Sequence, residues 1–92
     1  MTLVKVLYFA SARDAAKQKE LDMIEIDDND DGSQPTLQAV IERIKSTYDK
    51  IAPVLEISAI SYNEEYCDSQ QLAEIRVKDN DEIAIIPPVS GG

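Results

Sequence analysis

Residues 36–48 carry one apolar stripe at helical spacing. Leu37, Val40, Ile41, Ile44 and Tyr48 succeed one another at steps of three, one, three and four, which sets them on one face of an α-helix. Glu42, Arg43, Lys45 and Ser46 fall on the remaining surface. Thr36 stands where an N-cap belongs. Pro53 is expected to end any continuation, since Ala52 before it is pushed out of the α region. Burying each of the four aliphatic side chains is worth roughly 1.5–3 kcal/mol, so the stripe demands an apolar surface to cover it. A chain of 92 residues holds one domain with one core. It has no material left to enclose a large cleft.

The covering surface is expected to be a sheet. Leu3–Phe9 is apolar and rich in β-branched residues, with Lys5 its only charge, and reads as a strand buried on both faces or nearly so. Ser11–Lys17 reads as a short helix, with Ser11 as cap and Asp14 completing a weak capping box. In Leu21–Ile26 the alternation sets Leu21, Met23 and Glu25 on one face and Asp22, Ile24 and Ile26 on the other. A strand, a short connection and a second strand suggest an antiparallel pair. Asp27–Pro35 is a loop, with four Asp, one Asn, a Gly, a Ser and a Pro. Ser58–Tyr62 and Tyr66–Cys67 form a hairpin around Asn63, a residue suited to positive φ. Val77–Asp81 is a turn, and Glu82–Ile86 is the last strand, stopped by Pro87 and Pro88, which have no N–H to give a ladder. One main helix on one face of a mixed sheet of four or five strands is the economical packing, an α+β arrangement.

The chain is acidic, with 18 Asp and Glu against 9 Lys and Arg and a net charge of −9. Such a surface repels phosphate, so neither nucleic acid nor an anionic membrane is an expected partner. There is one cysteine and no histidine, which leaves no internal disulfide and no Cys/His zinc site, and removes the commonest general base. A single thiol fits a reducing compartment. The N-terminal residues show no basic stretch followed by a long apolar run, and no apolar run spans a bilayer. A cytoplasmic location is the expectation.

The sequence ends Ile85-Ile86-Pro87-Pro88-Val89-Ser90-Gly91-Gly92. Two prolines after a buried strand stiffen the exit and hold the chain extended. Gly91 and Gly92 have no side chain, so they can thread a channel too narrow for a Cβ. A carboxylate on such an end can be delivered into the active site of another protein. Gly-Gly by itself is weak evidence, because most terminal glycines do nothing. The strand and the double proline before it are what give the motif weight.

Asp81–Gly92 resembles the C-terminal signature of the small, sulfur-carrying subunits of molybdopterin synthase. Val4–Asp14 is similar to the opening strand and turn of that family, and Ser61–Tyr66 to its central hairpin. The likeness runs over nearly the whole chain. Asp27–Gly32 is longer than the usual connection, and Asp68–Arg76 looks like a small insertion. The resemblance implies a single ubiquitin-like β-grasp domain over residues 1–92 with a flexible tail at 87–92. It implies that a ubiquitin-activating-type enzyme spends ATP to link AMP to Gly92, after which a persulfide yields a thiocarboxylate. It also implies a large synthase subunit, in a heterotetramer of two small and two large chains, that threads Pro87, Pro88, Val89, Ser90 and Gly91 and receives the sulfur for a cyclic pyranopterin monophosphate. Phe9, Tyr66 and Ile86 occupy positions where this family buries apolar side chains against the large subunit; by pattern alone they read as core. No metal and no permanently bound cofactor is implied, and the acid and base groups are expected on the large subunit. Two rival readings remain at this point: a carrier for another pathway, such as thiamine or tRNA thiolation, and a plain ubiquitin-like interaction module.

Two further features have simpler explanations. Asp27, Asn29, Asp31 and Gly32 match positions 1, 3, 5 and 6 of a calcium loop, but Gln38 stands where the bidentate Glu belongs and a strand precedes the loop. A solvated loop is the expectation. Cys67 has no cation nearby in its strand and reads as a half-buried, inert thiol. Tyr8, Tyr62 and Tyr66 read as packing residues.

Overall fold

A computed structural model describes residues 1–88; Val89, Ser90, Gly91 and Gly92 lie outside the described residues. The strands are β1 (Thr2–Tyr8), β2 (Leu21–Ile26), β3 (Ala59–Tyr62), β4 (Glu65–Cys67) and β5 (Glu82–Ile86). The helices are α1 (Ser11–Ala15), α2 (Leu37–Thr47) and α3 (Ala52–Ile57), with a 3-10 turn at Ser69–Gln71. The strands form one sheet in the order β2-β1-β5-β3-β4. β1 runs antiparallel to β2 and parallel to β5, and β3 runs antiparallel to both β4 and β5. This is the mixed α+β sheet expected of a β-grasp. Among the described residues, no helix is long and apolar enough to cross a membrane.

The apolar stripe of α2 meets the sheet as its spacing requires. Leu37, Val40, Ile41, Ile44 and Tyr48 are buried against Val4, Val6, Tyr8, Ile24, Ile26, Ile83 and Ile85 in one cluster. Thr36 caps the helix, its Oγ1 accepting the Ala39 N–H at 3.2 Å. The β2 alternation also holds: Ile24 and Ile26 face the core while Leu21, Met23 and Glu25 are exposed. Asp22, on the core side of β2, accepts hydrogen bonds from the Tyr48 hydroxyl at 2.6 Å and the Tyr8 hydroxyl at 3.2 Å. The two rings meet edge to face with centroids 5.9 Å apart. Burial, then the Asp22 charge, pushes the Tyr8 hydroxyl far above its ordinary pKa. One carboxylate thus joins β1, β2 and the end of α2.

Four local expectations need correction. β1 is buried on one face only: Thr2, Val4, Val6 and Tyr8 point to the core, while Leu3, Lys5 and Leu7 are half-buried on the face that carries no helix. Ser11 is the first residue of α1 rather than its cap. The cap position is Ala10, which has φ 50° and ψ −126° and makes no side-chain bond. Pro53 does not mark the end of helical structure. α2 stops at Thr47, and Pro53 sits in the first turn of α3, where a missing N–H costs nothing. Asp68–Arg76 contributes to the fold as well. Asp68 and Gln71 form a capping box around the 3-10 turn, Leu72 is buried in the core, and Arg76 bridges to Thr36.

Candidate functional site

The parallel pair β1–β5 decides where the chain's end leaves the body. Its hydrogen bonds run from the Lys5 N–H to the Asp81 carbonyl at 2.8 Å and, at the other end, from the Phe9 N–H to the Ile85 carbonyl at 3.2 Å. The next bond of a parallel ladder would come from residue 87 to the Phe9 carbonyl. Residue 87 is proline and has no N–H to give. The Phe9 carbonyl instead accepts the Ala12 N–H of α1 at 3.0 Å. The proline therefore ends the sheet on one side while the first turn of α1 satisfies the carbonyl left over on the other. Pro87 itself is buried and Pro88 exposed, so the chain leaves the body after the first proline.

A hollow of about 320 Å³ opens at this exit, lined by Phe9, Ala10, Ile86 and Pro87. Its walls are apolar. Phe9 is 41 % exposed, Ile86 is half-buried, and both follow the outer, helix-free face of the sheet. Ala10 forms the corner between β1 and α1. Its dihedrals match the second position of a type II′ turn, a place usually given to glycine.

Tyr66 stands apart from this hollow. The register sets it opposite Ser61, with Ser61 opposite Ala84 and Ala84 opposite Leu7. It shares the outer face with Phe9 and Ile86, but on the edge strand β4, about two strand spacings of 4.8 Å from β5. At 74 % exposure it is neither core nor packing, so the pattern reading of Tyr66 is corrected. β4 is an edge strand whose outer face no other described residue covers. The small buried side chains of Ser61 and Ala84 form the floor between the two parts. Phe9 and Ile86 are likewise not core: the outer face leaves them partly open. Tyr8 packs as expected, and Tyr62 packs against the core while its hydroxyl donates to Asp81 at 2.5 Å.

The start of β5 is tied down in turn. Asp81 also accepts the Asn63 amide at 3.2 Å and the Lys78 N–H at 2.7 Å. The Asn63 side-chain carbonyl accepts the Glu82 N–H at 2.8 Å. Burial pushes the Asp81 carboxyl upward, but the Tyr62, Lys78 and Asn63 hydrogen bonds outweigh it and hold the group below the usual carboxylate value. Burial, then Asp81, pushes the Tyr62 hydroxyl up to about 12. These contacts fix the register of β5 and, through it, the point at which the tail departs.

The acidic loop is occupied with its own bonds. Asp28 accepts from Thr2 Oγ1 at 2.8 Å and pairs with the N-terminal ammonium at 3.3 Å. Asp31 accepts the Ser33 N–H at 2.9 Å and hydroxyl at 2.6 Å. Among the described residues, no three His, Cys, Asp or Glu stand close enough together to hold a metal ion. Cys67 is half-buried against the core, and burial pushes its thiol above the ordinary value, as an inert thiol requires.

The chain has relatives of known sequence and structure. The sequence model described as "ThiS family" matches residues 6–92. A Dictyostelium discoideum protein named molybdopterin synthase sulfur carrier subunit is 41 % identical over 88 residues, covering 96 % of this chain and 94 % of its own length. The solution structure of small archaeal modifier protein 1 from Methanosarcina acetivorans superposes with a TM-score of 0.75 at 26 % identity, over 100 % of this chain and 98 % of that one. A complex of subunits 1 and 2 of molybdopterin-converting factor from Helicobacter pylori contains a chain of the same fold, with a TM-score of 0.66 at 23 % identity, over 99 % of this chain and 100 % of that one.

Proposed function

The chain belongs to the ThiS family, and from its likeness to relatives named molybdopterin synthase sulfur carrier subunit we propose that it is the sulfur-carrier subunit of a molybdopterin synthase. Its working group is the carboxyl of Gly92. That carboxylate attacks the α-phosphorus of ATP on a ubiquitin-activating-type enzyme, and pyrophosphate leaves. A persulfide sulfur then displaces AMP from the acyl carbon. Cleavage of the remaining S–S bond by a thiol leaves a thiocarboxylate. The charged carrier docks on the large synthase subunit, in an assembly of two small and two large chains, and gives its sulfur to a cyclic pyranopterin monophosphate.

The observation that carries this reading is the single exit point of the tail. The β1–β5 ladder ends at the Phe9–Ile85 bond, Pro87 blocks the next one, and the chain departs beside an apolar hollow. An end anchored in this way starts from a fixed point beside the docking surface, so binding the body limits how far the carboxyl group can lie from it. Positioning of that kind turns a bimolecular encounter into an effectively unimolecular one. Pro87, Pro88, Val89, Ser90 and Gly91 serve as the threaded segment, and Phe9, Ile86 and Tyr66 as the partner contact. The chemistry asks no acid, base or metal of this chain, in keeping with a sequence free of histidine. The large subunit supplies the acid and base groups. The reaction belongs in the cytoplasm and involves neither nucleic acid nor a membrane.

Intact mass tests the reading. The chain, isolated together with its activating enzyme and a sulfur donor, should show a fraction heavier by the difference between sulfur and oxygen. A chain that never gains that mass, while the enzyme charges a known carrier, is a plain interaction module.

A further inference from the structure

The outer face of the sheet exposes more apolar surface than Phe9, Tyr66 and Ile86 account for. Leu21 and Met23, on β2, are 49 % and 46 % exposed. The register sets Leu21 opposite Leu7 and Met23 opposite Lys5, so both lie on the helix-free face. Single exposed aliphatics need no explanation. Here four of the six large hydrophobic side chains that are exposed among the described residues, Phe9, Leu21, Met23 and Tyr66, share one face. A patch of that kind marks an interaction site.

Lys5 lies within it. Of the strand residues on the outer face it is the one cation, in a chain with twice as many acids as bases. Its strand neighbours are Met23 on one side and Glu82 on the other. Among the described residues it makes no ion pair.

We propose that the β1–β2 half of the outer face, with Lys5 ringed by Leu7, Leu21 and Met23, is part of the surface on which the tail-receiving large subunit docks, and that this subunit sets a carboxylate against the Lys5 ammonium. The inference rests on the sulfur-carrier reading. Continuity identifies the occupant. Leu7 lies two residues before Phe9 on the same face, and its neighbour Ala84 lies two before Ile86. A protein seated over the tail exit therefore reaches Leu7 without a break. Charge sets the partner's chemistry. Leu7, Leu21 and Met23 exclude water once covered, and an ammonium desolvated there needs a negative partner. Glu82 flanks Lys5 within the chain, so in the complex the ammonium bridges Glu82 and the incoming carboxylate. Such a pair selects the partner more than it adds raw affinity, and it keeps surfaces lacking the carboxylate from seating.

The test is calorimetric titration of the full-length chain with purified large subunit, each variant also being checked by thermal melting. Lys5→Met keeps the aliphatic stem and removes the charge, and Leu21→Ser backs up Met23→Glu should the latter fail to fold. Lys5→Met and Met23→Glu should each weaken binding at least about tenfold, and Lys5→Met should also flatten the salt dependence. Lys5→Arg should hold within a few-fold of the parent. If Lys5→Met and Met23→Glu bind like the parent while Phe9→Glu binds weakly, this half of the face is not in the interface, and the inference falls with the carrier reading intact. If the parent chain does not bind the large subunit, both fall. Self-association of the free chain that Met23→Glu abolishes would assign the surface to a second copy and overturn the proposal.

Discussion

The Tyr62 hydroxyl donates to Asp81 Oδ2 at 2.5 Å. Tyr62 closes β3, and Asp81 immediately precedes β5, so this bond locks the hairpin strand to the strand that releases the tail. The same carboxylate gathers the Asn63 amide and the Lys78 N–H. A shift of β5 by one residue would break the Tyr62 and Asn63 contacts and turn Ile83 and Ile85 out of the core.

The locked carboxylate has a pH signature. The folded Asp81 lies below its ordinary value of 3.8. The stabilisation is therefore fully present above that unfolded value and is lost as pH falls through the lower folded one. Tyr62 is shifted the other way, from 10.0 to about 12. Its contribution is whole below the unfolded value and disappears as pH rises through the folded one. Denaturant melts from neutral pH into acid should show a loss beginning near the ordinary carboxylate range. Asp81→Asn should flatten that loss, although Asp28 and Asp31, also held low by their hydrogen bonds, will keep part of it. An Asp81→Asn chain with an unchanged acid limb would mean that the cluster carries no such linkage.

Ala10 occupies a corner that suits glycine. At φ 50° and ψ −126°, a Cβ is strained by an amount of order 1–3 kcal/mol, while glycine brings an entropy cost of roughly 0.5–1 kcal/mol. The side chain is exposed, so little packing is lost. Ala10→Gly should raise stability by on the order of 1 kcal/mol, seen as a higher midpoint in urea at unchanged slope. A lower midpoint would show that the methyl packs in the hollow more firmly than its exposure suggests.

The hollow at the exit should matter for binding more than for folding. Phe9→Glu and Ile86→Glu place a charge where the partner must exclude water. Each should weaken association with the large subunit at least about tenfold. The Phe9 variant should leave the melting temperature within a few degrees of the parent, because that ring is 41 % exposed. Unchanged affinity in two folded variants would remove the hollow from the interface.

What the sequence discloses here follows from periodicity. The stripe of α2, the β2 alternation, the hairpin at Asn63 and the bounds of β5 are all written in spacing, and each stands in the structure as read. What is lost depends on tertiary context. α3 goes unseen because Pro53 is read as a stop, although a proline is equally at home in a first helical turn. β1 reads as buried on both faces because Leu3 and Leu7 are as apolar as Val4 and Val6; only the one-sided stacking of the helices separates them. Tyr66 reads as core because the exposure of an edge strand is invisible without the strand order. Of the site, Phe9 and Ile86 are brought together with Pro87, whereas the resemblance grouped them with Tyr66 and pattern alone read all three as core. The exposed pair Leu21 and Met23 was legible all along as the outward half of the β2 alternation, and what hid its meaning was the absence of any sign that no helix covers that face.

In the proposed function the carboxyl of Gly92 is the group that carries sulfur. The direct measurement is single-turnover sulfuration of cyclic pyranopterin monophosphate by large subunit loaded with the charged carrier, comparing the parent with a chain lacking Gly92 and with one bearing an added residue after it. Both variants should melt as the parent does, because the core cluster and the β1–β5 ladder are built from residues before Pro87. Both should fail to transfer sulfur, since a displacement of even about 1 Å at the reacting atom can cost on the order of a hundredfold in rate. Transfer at the parent rate by the chain lacking Gly92 would mean that its carboxyl does not carry the sulfur.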